Sequence, residues 1–327
     1  MSKANVSPAP TVMPADSQCA PAGSETTADG TPTDRKDTGR IARLFRYATH
    51  DGPGIRMLVL LKGCPLRCPW CHNPEAQNHE RELIHLEVKC AGCGLCNDAC
   101  PLPEKSASHR AARPGCRLCG RCVEACPSGA LQLVGEDLSA EAIVSVAQRD
   151  EPFYRASRGG VTISGGEPLA QPHFTEALLR QLGAQGIHTA IETCGFAPME
   201  TLVRLAEHVD LWLYDVKHVD SAKHLRYTGR SCAPILQNLS YLLGRNGDVI
   251  VRIPVIPGFN DTAGDMEQIA TVLTQMGARR VELLPFNPSF VAKLQMLGRA
   301  VERQYPPTPQ PPEEIDSLRR IVAAHIK

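Results

Sequence analysis

Fourteen cysteines in a chain of 327 residues are the side chains most able to do chemistry, and eleven of them fall between Cys64 and Cys126. Cys64, Cys68 and Cys71 form CxxxCxxC inside the stretch KGCPLRCPWCHNPE, residues 62–75. Three cysteines on a tight loop can hold three corners of a [4Fe–4S] cluster, and the fourth iron then stays open to a ligand. The competing reading is a structural zinc with His72 as its fourth ligand. Further on, Cys90, Cys93, Cys96 and Cys100 form CxxCxxCxxxCP, closed by Pro101. Cys116, Cys119, Cys122 and Cys126 repeat the form 26 residues later, closed by Pro127. Soft thiolate ligands suit iron–sulfur clusters, and zinc bound by the CxxC pairs is again the alternative.

The repeated run resembles that of the bacterial two-cluster ferredoxins, where the fourth cysteine of each run ligates the other cluster. The resemblance implies one [4Fe–4S] cluster on Cys90, Cys93, Cys96 and Cys126, and a second on Cys116, Cys119, Cys122 and Cys100. Gly92, Gly94 and Gly120 fit a backbone wrapped closely around a cluster. Two fully ligated clusters move electrons and break no bonds, so a ferredoxin-like carrier is the plainest reading of this segment. It leaves the rest of the chain without a role.

That remainder reads as alternating strands and helices. Apolar runs at Met57–Leu61, Val161–Ser164, His188–Thr193, Leu211–Val216, Val249–Val255 and Arg280–Pro285 are short and β-branched, as in buried parallel strands. Helical periodicity covers Phe174–Leu182, Met199–Glu207, Pro234–Arg245, Asp265–Met276 and Pro312–Ile326. Repeated strand–helix units predict an α/β barrel or doubly wound sheet, and six units are too few for a closed eight-stranded barrel. Residues 85–132 interrupt the alternation as an inserted domain within a larger unit spanning 39–327. Residues 1–38, rich in Pro, Ala, Ser and Thr, are expected to be disordered.

Bulk composition removes other classes. With 35 Lys and Arg against 35 Asp and Glu there is no global basic field, so no nucleic-acid or membrane partner is expected. The hydrophobic share of 43% suits a globular core. Clustered cysteines without a secretory signal point to metal in a reducing cytoplasm rather than to disulfides. Cys19 and Cys232 have no companions at ligand spacing, and Cys194 reads as a free thiol.

DGPGIR, residues 51–56, followed by KGCPLRCPWCHNPE, resembles the glycyl-radical-enzyme activating enzymes of the radical S-adenosylmethionine (SAM) superfamily, the group that includes pyruvate formate-lyase activating enzyme. The resemblance runs from about Arg40 to the end of the last strand. It implies a partial (β/α)6 barrel carrying a ferredoxin-like two-cluster insert, three [4Fe–4S] clusters in all, and SAM chelated through its amine and carboxylate at the open iron. In such barrels ligands sit at the C-terminal strand ends. Gly165, Gly166 and Glu167 then form the GGEP motif, with Glu167 toward the SAM ammonium. Trp70 takes the aromatic position that packs on adenine, with plain core packing as the alternative. Glu192 and Thr193, in ETCG, would contact ribose or a monovalent cation, and Asp215, Lys217 and Arg252 would supply charges around the SAM carboxylate. Asn287 stands where the family commonly has His, and it can hydrogen-bond but not titrate.

The same resemblance implies the reaction. One electron enters the SAM sulfonium, the sulfur–C5′ bond breaks, and the 5′-deoxyadenosyl radical takes a hydrogen atom from a glycine Cα on a C-terminal loop of a partner glycyl radical enzyme, under anaerobic conditions. A flavodoxin- or ferredoxin-type protein would supply the electron. The other readings are a radical SAM enzyme acting on a small molecule or on another protein modification, and the electron carrier.

Overall fold

The computed structural model describes residues 37–102, 115–245 and 247–326. The expectation of disorder over residues 1–38 falls outside these, except that the first strand already begins at Thr38. The strands are β1 (Thr38–Ala48), β2 (Arg56–Leu61), β3 (Glu82–His85), β4 (Leu131–Val134), β5 (Glu136–Ser139), β6 (Gly160–Gly165), β7 (Thr189–Thr193), β8 (Leu211–Asp215), β9 (Val249–Val255) and β10 (Val281–Pro285). Eight of them form one sheet in the order β10-β9-β8-β7-β6-β2-β1-β5, and β3 and β4 form a separate two-stranded ribbon. β2, β6, β7, β8, β9 and β10 run parallel. β1 lies antiparallel on β2, and β5 antiparallel on β1. This is an α/β fold built on an open, mostly parallel sheet.

Every parallel strand expected from the sequence is present, with bounds within a residue at either end. The antiparallel additions β1 and β5 and the ribbon were not legible. β1 reads TGRIARLFRYA, where arginines interrupt the alternation, and pairing with β2 rather than hydrophobicity makes it a strand. Helices Ala140–Gln148, Glu151–Ser157, Ser221–Thr228 and Phe290–Met296 also went unread, being short enough for periodicity to fail.

Alternation along the strands sorts the two faces of the sheet. Met57, Val59 and Leu61 of β2, Val161 and Ile163 of β6, Ile191 of β7, Trp212 and Tyr214 of β8 and Val251 and Ile253 of β9 join the main core. There they meet apolar faces of helices Pro172–Ala184, Ala233–Gly244, Ala263–Gln275 and Pro312–His325. The intervening residues Thr162, Ser164, Glu192, Asp215 and Arg252 point the other way, so the face away from this core is polar toward its C-terminal end. Each residue that builds chemistry is thereby one step in sequence from a residue that anchors it.

Arg56 holds the opposite end of the sheet. Its side chain is fully buried. The guanidinium donates to Thr162 Oγ1 at 2.6 Å, to the Val161 carbonyl at 2.8 Å and to the Pro53 carbonyl at 3.2 Å, and its Nη2 lies 3.3 Å from His188 Nδ1. Burial lowers its pKa to about 10, which leaves it charged at neutral pH. One planar fork thus ties the DGPG turn to β6 and to the residue before β7. Arg56→Ala would leave a cavity and stranded carbonyls, and should cost about 3 kcal/mol in anaerobic urea unfolding. Arg56→Lys should recover little of it, because an ammonium cannot span the same acceptors.

Candidate active site at the C-terminal strand ends

The CxxxCxxC loop leaves the end of β2 and is seated by backbone hydrogen bonds. Gly63 N–H donates to the Ala76 carbonyl at 2.8 Å and Cys64 N–H to the Gln77 carbonyl at 2.9 Å, closing the loop on itself. The next motif then grips it. Gly166 N–H donates to the Leu61 carbonyl and Glu167 N–H to the Gly63 carbonyl, both at 2.8 Å. Gly166 has to be glycine for this approach, since a Cβ there would overlap the carbonyl oxygens of Gly63 and Ala76. Gly165 takes φ +109°, open to glycine at little cost. Gln171 adds a stitch by donating to the carbonyls of Arg40 and Lys62 at 2.9 and 2.8 Å.

Cations clasp the far side of the loop. Lys62, fully buried, donates to the Glu75 carbonyl at 2.6 Å and to Glu82 Oε2 at 3.0 Å. Lys293 reaches the His72 carbonyl at 2.7 Å and Asn73 Oδ1 at 2.8 Å, and Arg299 donates to the Pro74 carbonyl at 3.0 Å. No sequence signal marked Lys293 or Arg299, which lie more than 200 positions from their acceptors.

Cys68 and Trp70 are buried, with Cys64 and Cys71 half-buried, in an apolar cluster with Leu66, Phe259 and Phe286. Trp70 stacks at 4.6 Å on Phe259, whose ring lies 4.7 Å from that of Tyr227. Core packing is therefore a role this side chain already fills. Cys194 joins the same cluster, which also contains Cys64. It is a free thiol, as read from the sequence, and it neighbours the motif because β7 ends beside it. Burial pushes the Cys68 thiol up to about 12 and raises Cys71 as well, so these thiols ionise only with positive charge at hand. An iron–sulfur group supplies such charge, and a trio of buried soft donors in an apolar pocket fits it.

Glu167 is fully buried and accepts from Thr193 Oγ1 at 2.6 Å, from Cys194 N–H at 2.8 Å and from Leu169 N–H at 3.0 Å. Burial nevertheless raises its pKa. Three internal donors mean that it organises the ends of β6 and β7, whatever else it meets.

Beside it lies a compact charge network. Arg252 of β9 donates to Asp215 Oδ1 from both Nε and Nη2, at 3.1 and 3.0 Å, and pairs with Glu192. Ser164 donates to the other Glu192 oxygen at 2.7 Å, and Lys217 lies 3.4 Å from Asp215. Two carboxylates and two cations balance. Burial works against the Lys217 ammonium, but Asp215 and the thiols at 68, 194 and 64 outweigh it, and its pKa rises. Lys217 meets Asp215 although β8 ends at Asp215, two residues short of the strand alternation expected there, while Ser164 was missed because a lone serine in an apolar run has no signature. Asn287 stands apart: it is exposed, and its Oδ1 accepts from Ser289 N–H at 3.0 Å.

In the cysteine-rich segment two cavities open. One of about 480 Å³ is lined by Cys100, Cys116, Cys119 and Cys122 above Leu83 and Leu133. The other, of about 270 Å³, is lined by Cys90, Cys93, Cys96 and Cys126 above His85 and Leu131. The fourth cysteine of each run faces the other run's cavity, the exchange that the ferredoxin resemblance implies.

A sheet of this topology with three cysteines and a charge network at its C-terminal end defines the radical SAM class, and the description "Radical SAM superfamily" matches residues 114–271. The chain is 42% identical to the choline trimethylamine-lyase activating enzyme of Oleidesulfovibrio alaskensis over 79% of this chain and 86% of that one. It is 42% identical to the benzylsuccinate synthase activating enzyme of Thauera aromatica, over 84% and 86%. It is 43% identical to the (2S)-3-sulfopropanediol sulfolyase activating enzyme of Bilophila wadsworthia, over 82% and 92%. The chain belongs to the glycyl-radical-enzyme activating enzymes, and it generates the glycyl radical of a partner enzyme using a [4Fe–4S] cluster and SAM. Among the described residues no helix is long and apolar enough to cross a membrane.

If Gly166 seats the cysteine loop, Gly166→Ala should lower stability by about 1–3 kcal/mol in denaturant unfolding. The purified variant should also retain less iron than the wild type after identical anaerobic reconstitution.

Proposed function

We propose that Cys64, Cys68 and Cys71 hold the SAM-binding cluster and that the Glu192–Arg252–Asp215–Lys217 network, with Gly165, Gly166 and Glu167, forms the SAM site. The observation that carries this reading is the placement of balanced, buried charge at the strand ends, directly beside the three thiols. When bound, cluster and SAM together supply a 5′-deoxyadenosyl radical able to take a hydrogen atom from a glycine Cα. The chain's own residues bind, orient and exclude water. Lys217 is a compact cation suited to a carboxylate, and Asp215 and Glu192 offer oxygens to an ammonium, to hydroxyls or to a monovalent cation. Glu167 keeps the β6 and β7 ends in register beneath them, and the apolar cluster around Trp70 and Phe259 keeps water from the thiols.

The insert, residues 85–132, carries two further [4Fe–4S] clusters in this reading, on the two cavity-lining cysteine sets, and relays electrons to the SAM site. The partner is a glycyl radical enzyme presenting a C-terminal glycine loop, and the electron donor a flavodoxin- or ferredoxin-type protein in an anaerobic cytoplasm. The named relatives serve lyases and synthases of different substrates at nearly equal identity, so the shared chemistry is the loop rather than the substrate.

The test is anaerobic reconstitution followed by iron analysis and an assay of 5′-deoxyadenosine with SAM and dithionite. Wild type should bind about 12 iron atoms per chain, four for each cluster, and make product. Cys71→Ala should make none. A wild type that loads only about four irons would remove the two insert clusters from the reading. Lys217→Met should weaken SAM binding about tenfold in a titration that leaves the iron–sulfur absorption unchanged. Unchanged affinity would take Lys217 out of the SAM site.

A further inference from the structure

Lys217 lies beyond the end of β8, so the strand itself does not hold it. The last registered pair between β8 and β9 is Asp215 with Arg252. Val216 adds one more main-chain bond, its N–H donating to the Arg252 carbonyl at 2.9 Å. The residue after Lys217 turns away. His218 is buried, and its Nδ1 accepts from Asp220 N–H at 2.9 Å. That leaves the ring proton on Nε2, which lies 3.1 Å from Asp265 Oδ1. Between these two neighbours, the Lys217 carbonyl accepts from Asn260 Nδ2 at 2.8 Å.

Asn260 is fully buried, and both polar atoms of its side chain are engaged. Nδ2 also donates to the Pro254 carbonyl at 2.8 Å, and Oδ1 accepts from Ile256 N–H at 2.7 Å. Two carbonyls on one side and an N–H on the other fix which way the amide points. Pro254 lies on β9 and Ile256 just beyond it, so this one side chain spans from the end of β9 to the segment after β8. It does there what the strand ladder no longer does. The turn that carries Asn260 also sets Phe259 against Trp70 at 4.6 Å, so support of the turn alone is the competing role.

A lysine ammonium sits on a flexible four-carbon stem, so its reach is set by the backbone that carries it. We propose that Asn260 is the positioning residue for Lys217. By pinning the carbonyl of a residue that lies outside the strand, it aims the ammonium at the place where the SAM carboxylate binds. The proposal rests on the assignment of Lys217 to the SAM site. Asn260 acts through the lysine and not on the ligand, because its own amide is already satisfied within the protein. Loss of the pin leaves the charge of Lys217 in place but lets its stem start from a looser backbone, and affinity falls through lost pre-organisation.

The experiment is a double-mutant cycle in SAM affinity on the full, reconstituted chain, read by equilibrium dialysis with iron content matched between variants. Asn260→Asp keeps the acceptor and removes both donors. It should weaken SAM binding about fivefold in the wild-type background and cause no further loss in the Lys217→Met background. Asp261→Ala frees Gly258 N–H in the same turn without touching Lys217, and should bind SAM as the wild type does. Unchanged affinity in Asn260→Asp, an equal loss in both backgrounds, or the same loss in Asp261→Ala would overturn the proposal, because support of the turn alone does not depend on Lys217. If Lys217→Met itself binds SAM normally, the SAM-site assignment of the lysine falls and takes the proposal with it, whereas an additive cycle sinks the proposal alone. Should Asn260→Asp fail to take up iron, Asn260→Ser goes through the same cycle. Failure of both to load would place Asn260 in the support of the cysteine loop and would also overturn it.

Discussion

The carbonyl of Gly63 accepts the N–H of Glu167, and the N–H of Gly63 donates to Ala76. Around that one peptide the rest of the site assembles. It fixes the cysteine loop against the end of β6, where the carboxylate of Glu167 in turn takes donors from Thr193 and Cys194 at the end of β7. The contact needs two backbones closer than any side chain allows, which is why glycines stand at 165 and 166, while Gly63 takes φ +97°, a left-handed backbone that favours glycine. A loop bearing one buried and two half-buried thiols gains nothing from the hydrophobic effect for ionising them. Its geometry has to come from main-chain hydrogen bonds that do not titrate.

Burial works against the Arg252 guanidinium and the Lys217 ammonium at this end of the sheet, and the structure answers by pairing. Arg252 stands between Glu192 and Asp215, and Lys217 lies against Asp215. Removing one member would leave its partner an uncompensated charge, whereas the balanced quartet offsets part of the desolvation cost of each. Such a network is also pre-organised for a zwitterion, because each oxygen and ammonium is already held by its neighbours before a ligand arrives. Lys217 links this quartet to the thiols, whose charge contributes to its raised pKa.

The insert follows a different logic. Its helical pieces are single turns, Leu95–Asp98 and Arg121–Glu124, each preceded by a left-handed glycine. Little apolar surface is buried between them, and in the proposed reading the clusters themselves are the core of this segment. The ribbon β3–β4 connects it to the main sheet through Glu82, which pairs with Lys62 and Arg299, the two cations that also hold the active-site loop. Loop and insert therefore share one set of supports.

The sequence by itself determined the elements whose signal is local. The parallel strands and the longer helices were read within a residue or two, because hydrophobic periodicity is written in consecutive residues. Both cysteine runs could be read from spacing, and the cavity linings group the cysteines in the sets that the ferredoxin resemblance implies. Asp215 could be placed at the end of its strand from the same local signal. Tertiary structure alone decided the rest. Cys194 meets Cys64 only because β7 ends beside the loop after β2, and Ser164, Lys293 and Arg299 reach their partners across distances that periodicity does not encode. Trp70 is held by Phe259, far along the chain, and Asn287, placed in the site by analogy, turns back on Ser289. Local pattern fixes which face a residue presents, while the neighbour it meets there depends on how strands distant in sequence are laid side by side.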